Sequence, residues 1–197
     1  MKLDLDKNVK KGAKEFYGII KYGIRDGFFK VQIDRRVAVE YALSHCGESD
    51  DHPMNPNFYY FGDSEDCTNF VAQCWNAAGL SAAYDFYCDG RYTNTYSWIN
   101  VDDFMDYVVL RQIARVEWSS TTIKPGDIVQ FCYELTDGSQ VWQHSAIITG
   151  YDSNGGLCYA GHSDPRCNWP LSAIYPNKTN ITEIRFLVPL YPTINWC

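Results

Sequence analysis

The sequence predicts an α+β fold, with helices in its first half and an antiparallel sheet in its second. Between residues 34 and 111, apolar residues recur at helical spacing. After Lys124-Pro125-Gly126-Asp127 the pattern changes to short runs of β-branched and aromatic residues punctuated by turns. The two regimes follow one another instead of alternating, which is the order of an α+β domain and not of a doubly wound one. A chain of 197 residues, 46% hydrophobic and 16% aromatic, suffices for one ordered domain with a sizeable core but not for two.

Residues 8–24 are Lys-rich and broken by Gly12, Gly18 and Gly23. They read as a marginal helix within an N-terminal arm, 1–33, preceding a main domain at 34–197. A stronger helix runs from Asp34 to His45, with Val37, Val39, Tyr41, Ala42 and Leu43 as its apolar positions and Asp34 as N-cap. The polar stretch from Gly47 to Asn57, which holds Pro53 and Pro56, is a long loop. Cys67, Phe70, Val71, Cys74 and Ala78 define the next helix, and Gly79 stops it. Ala82 to Tyr96 is irregular, and Asn100 caps a helix from Val101 to Arg111. Four strands follow at Ile128–Tyr133, Gln143–Gly150, Leu157–His162 and Ile184–Leu190, the middle pair joined by the turn at Asp152–Gly156.

The net charge of −7 argues against nucleic acid and against an anionic membrane surface as partners. No apolar run reaches membrane-spanning length, so membrane insertion is not expected. The N-terminus, MKLDLDKNVKKGAKEF, lacks the apolar region of a secretory signal. Either the protein acts inside the cell or an export segment lies upstream of this chain. The eight cysteines form no CxxC pair, and several sit within apolar patterns as small buried hydrophobes. Mostly free thiols in a reducing setting are the expectation.

Cys67 is the focus of the chemistry. It opens a helix, where unpaired N–H groups and the helix dipole favour an anion, and a thiolate is an anion. A nucleophilic thiol needs a base, and the base needs an orienting partner. Of the four histidines, His45 ends a helix and His52 lies in the polar loop. His144 begins one strand and His162 ends its neighbour. A hairpin around Ser153-Asn154-Gly155 would bring His144 and His162 together at its open end. Taken singly, each residue has a plainer reading: a buried structural cysteine, a strand-end histidine, and for Asp66 a helix N-cap. Cys158, His162 and Cys167, with His144, form an alternative zinc-ligand set, but at a spacing that matches no common zinc motif and that leaves Cys67 unexplained.

The order D-C-T-N-F at Asp66–Phe70, K-P-G-D at Lys124–Asp127, H-S-A-I-I-T-G at His144–Gly150 and G-H-S-D at Gly161–Asp164 resembles the putative amidase domain family, a papain-like branch related to NlpC/P60 and CHAP domains. The resemblance covers about residues 34–188. It implies a papain-like (NlpC/P60-like) domain, N-terminal helices packed on an antiparallel sheet, and a bacterial cysteine hydrolase acting on peptidoglycan or a peptide derived from it. By the resemblance Cys67 is the nucleophile, His144 the base and His162 the orienting residue, with Asp164 as an alternative orienter. Tyr59 or Tyr60 stands where relatives have a tyrosine near the oxyanion, and Asp66 is a further candidate contact. An extracellular or cell-envelope site is implied if an upstream segment exists. No cofactor or metal is expected. Phe58, Tyr59, Tyr60, Trp98, Trp142 and Trp169 are candidates to line a groove for an extended ligand. Two other functions fit the same pattern: a catalytically silent binding module, and an acyl or peptidyl transferase that uses an amine in place of water.

Overall fold

The computed structural model of the protein describes residues 30–62, 65–91, 93–176 and 178–193. Most of the N-terminal arm, including its expected helix, lies outside the described residues, as does Cys197. Strand β1 is Ile33–Asp34, followed by helices α1 (Arg35–Ser44), α2 (Cys67–Ala77), α3 (Tyr96–Ile99) and α4 (Val101–Leu110). The strands β2 (Ala114–Glu117), β3 (Ile128–Glu134), β4 (Gln140–Tyr151), β5 (Leu157–Gly161), β6 (Arg166–Pro170), β7 (Ile181–Pro189) and β8 (Pro192–Thr193) complete the chain. The domain is α+β, as the sequence pattern predicts. Among the described residues no helix is long and apolar enough to cross a membrane.

The caps are where the residue types place them. Asp34 accepts from the Val37 N–H at 3.1 Å, and Asn100 accepts from the N–H groups of Asp102 and Asp103 at 3.0 and 3.2 Å. Gly79 ends α2 with φ of +120°, a conformation that costs a Cβ-bearing residue. Its backbone lies against the Gln32 carbonyl, where a side chain would collide.

Six strands form one antiparallel sheet in the order β2-β7-β3-β4-β5-β6. β3, β4 and β5 form the meander that the sequence suggests, and β6 extends it. β7 then returns to the far side of β3, with β2 outside it, while β1 and β8 pair in parallel apart from this sheet. The short strands β2 and β6 are additions to the sequence expectation.

Strand alternation divides the core in two. Ile128, Ile147, Ala160 and Leu187 face the helices and pack with Ala38, Ala42, Phe70, Val71, Trp75 and Phe104. Their neighbours Val129, Ile148, Tyr159 and Phe186 face the other way, under Leu171, Ile174 and Ile181. A buried ion pair pins the K-P-G-D turn to α1: Arg35 Nε donates to Asp127 Oδ1 at 3.0 Å, and Asp127 Oδ2 accepts from the Lys124 N–H at 2.8 Å. Trp75 closes the same corner by donating to the Gly126 carbonyl at 2.9 Å.

Cys46 and Cys167 form a disulfide between the end of α1 and β6, with Cα atoms 5.6 Å apart. The other described cysteines, Cys67, Cys74, Cys88, Cys132 and Cys158, are free. The alternative zinc set of Cys158, His162 and Cys167 does not assemble, because Cys167 is cross-linked and His162 is bonded elsewhere.

Candidate active site

All four residues of the D-C-T-N run are buried, and each has a separate task. Asp66 does not cap α2 with its side chain. Its Oδ1 instead accepts from the Phe61 N–H at 3.0 Å and from Asn69 Nδ2 at 2.8 Å, and its Oδ2 lies 2.5 Å from His162 Nδ1. Thr68 Oγ1 meets Ser145 Oγ at 3.2 Å. Asn69 accepts from Trp98 Nε1 at 2.8 Å and donates to the Tyr59 carbonyl at 2.9 Å. These bonds tie the start of α2 to β4, to β5 and to the loop before it.

His162 is held on every side. Nε2 lies 2.8 Å from the His45 carbonyl, Nδ1 faces Asp66, and the ring stacks on Phe70 with centroids 4.1 Å apart. A carbonyl can only accept, so Nε2 carries a hydrogen, and Nδ1 and the Asp66 carboxyl share another. At 1% exposure, Asp66 is too enclosed to touch a substrate in this arrangement.

Cys67 is the first residue of α2, and its thiol lies against the backbone of β4. Sγ is 3.7 Å from the Gln143 carbonyl and 3.8 Å from Thr68 Oγ1. Burial pushes the thiol above its ordinary pKa, while hydrogen bonds from the Ser145 backbone and from Thr68 pull it back. The thiol therefore straddles the backbone of His144, between the groups of residues 143 and 145.

The His144 ring lies on the other side of the sheet. Ser145 faces α2, so its neighbour faces away, and the ring packs against Phe131 of the second core at a centroid distance of 5.5 Å. Gly161 leaves space beside it: a Cβ there would come within 3.9 Å of His144 Nε2. Burial lowers the His144 pKa from 6.5 to about 4, with Lys178 adding to the effect and Asp164 opposing it. The structure brings His162 to Asp66 and His144 close to β5, but it turns the two imidazoles to opposite faces.

A β-bulge sets that orientation. Phe131 pairs with His144 and Cys132 with Trp142, so Gln143 is an extra residue in β4. Trp142 and His144 would otherwise share a face. With the bulge, Trp142 turns to the helix side, where the Arg185 guanidinium lies 4.0 Å above its ring.

A groove of about 290 Å³ opens beside the thiol, lined by Cys67, Phe61, Glu65, Tyr96, Trp142 and Gln143 among others. Of the aromatic candidates only Trp142 lines it. Trp98 is buried with Phe58 stacked on it, and Trp169 stands on β6 with its indole donating to Glu48. Tyr59 and Tyr60 are partly exposed outside this groove, and Asp164 pairs with Arg166. Behind the groove a buried polar chain links sheet and helices. Gln130 donates to Ser145 Oγ at 3.3 Å and to the Val101 carbonyl at 2.9 Å, while accepting from Arg185 at 2.7 Å. Thr68, Gln130 and Ser145 are missed by sequence reasoning. The one available signal was that they are polar residues at inward-facing positions of otherwise apolar elements.

No curated protein and no solved structure matches the chain. A protein family described as a putative amidase domain matches residues 32–186, most of the chain and every element of the site. The chain thus belongs to the putative amidase domain family, whose name denotes amide hydrolysis.

Proposed function

We propose that the protein hydrolyses an amide bond through a thioester on Cys67, with peptidoglycan or a peptide derived from it as the substrate. The observation that carries this reading is the place of Cys67, at the first turn of α2 beside an open groove, in a chain of the putative amidase domain family. The Cys67 proton passes to His144, and Sγ adds to the amide carbonyl carbon. The C–N bond then breaks, and His144 returns the proton to the departing amine. Water cleaves the thioester and restores the thiol. Backbone N–H groups at the first turn of α2 are the donors for the oxyanion.

For His144 to act, its ring must reach the face of the thiol. The bulge offers a route: if the extra residue of β4 moves from Gln143 to His144, the ring joins Ser145 on the helix side while the rest of β4 keeps its register. His162 and Asp66 serve as positioning residues that hold the start of α2.

A second reading, a catalytically silent binding module, is favoured by the enclosed thiol and by the distant face of His144. Release of new amino groups from peptidoglycan fragments separates the two. Hydrolysis predicts turnover that Cys67→Ala abolishes and His144→Ala slows by roughly 10²- to 10⁴-fold. Saturable binding of the same fragments with no amine released, unchanged in Cys67→Ala, means a binding module. A product yield that rises with added amine means a transferase.

A further inference from the structure

Away from the groove, the end of α1 builds a cluster of soft donors. Gly47 follows Cys46 with φ of +73°, a left-handed turn that glycine adopts readily. The chain then closes on itself: the Gly47 N–H donates to the His52 carbonyl at 2.8 Å, and the His52 N–H donates to the Ser49 carbonyl at 3.0 Å. His45 Nδ1 lies 3.1 Å from the Pro53 carbonyl and fastens the middle of the loop. This folding returns His52 to Cys46, and β6 brings Cys167 to the same point. One ligand atom from each of Cys46, His52 and Cys167 lies within 4.8 Å of the others. Both sulfurs also approach the Leu43 carbonyl, Cys46 at 3.9 Å and Cys167 at 3.6 Å.

Two sulfurs and an imidazole are the donor types of a zinc-class cation, not of magnesium or calcium. We infer that these three residues form a redox-gated cation site, a cross-link when oxidised and a zinc site when reduced. A dithiol reductant breaks the Cys46–Cys167 bond, each sulfur takes up a hydrogen, and the reductant becomes a cyclic disulfide. Zinc then displaces one proton from each thiol to solvent and forms two Zn–S bonds and one Zn–N bond to neutral His52. Zn–S bonds of about 2.3 Å in a tetrahedron separate the two sulfurs by roughly 3.8 Å, so the closed disulfide and the metal exclude one another. His52 is exposed, and the fourth position therefore faces water. The site differs from the alternative zinc set of Cys158, His162 and Cys167, sharing only Cys167 with it.

The test uses the full chain, reduced with a dithiol, freed of it under nitrogen and exposed to Zn²⁺ or Co²⁺. Alkylation is followed cysteine by cysteine by peptide mass. Zn²⁺ should slow labelling of Cys46 and Cys167 while Cys88, a half-buried free thiol, keeps its rate. Co²⁺ should give thiolate charge-transfer absorption in reduced protein and none in oxidised protein. His52→Ala leaves the backbone bonds of the loop intact and should weaken binding at least as much as losing an outer partner does, roughly 10- to 100-fold. Equal protection of Cys88, absence of protection at Cys46 and Cys167, or wild-type affinity in His52→Ala each overturns the inference.

Discussion

Acidification should weaken the fold through His144. The ring is partly buried beside Phe131, and burial lowers its pKa from 6.5 to about 4. Between those two values the unfolded chain binds a proton that the folded chain refuses. The folded pKa is depressed, so the stabilisation is complete above pH 6.5 and is lost as the pH falls to 4. A difference of about 2.5 units at 1.36 kcal/mol each sets a limit of about 3 kcal/mol. Urea unfolding of wild type and His144→Gln at pH 7 and at pH 4 isolates this contribution, because the other titrating groups are common to both proteins. Wild type should lose up to about 3 kcal/mol more than the variant across that range. An imidazolium beside a Cys67 thiolate would have a raised pKa instead, and the difference would reverse sign. A zero or reversed difference would refute the placement of the ring on the far face.

Replacing Arg35 with Met leaves the Asp127 carboxylate buried without its cation. It should cost about 3–5 kcal/mol in urea unfolding, most of it regained in Arg35→Met/Asp127→Asn. Asn100→Ala removes the acceptor for two N–H groups of α4 and should cost about 1 kcal/mol, read as a lower thermal midpoint. Trp142→Ala strips one wall of the groove and should raise KM for peptidoglycan fragments more than it lowers kcat, in steady-state kinetics.

The local features of this chain are legible because they are closed within a few residues. Asp34 and Asn100 cap helices by bonding two or three positions ahead, and side-chain type alone encodes that. Cys67 opens α2 for the same reason: a helical apolar pattern begins there. The strands β3, β4, β5 and β7 are marked by their own composition. β2 and β6 are short and half-exposed, so their strand character comes from the partners they pair with. Asp66 has the residue type of a cap, yet a histidine far along the chain takes its carboxylate.

By itself the sequence determined the order of the main helices and strands, the caps at Asp34 and Asn100 and the position of the thiol at the start of α2, since each depends on neighbouring residues. Only the tertiary structure decided which way His144 points, what holds His162, and that Cys46, His52 and Cys167 converge. In a strand one extra residue exchanges the two faces, and the pairing of β3 with β4 determines where that residue falls.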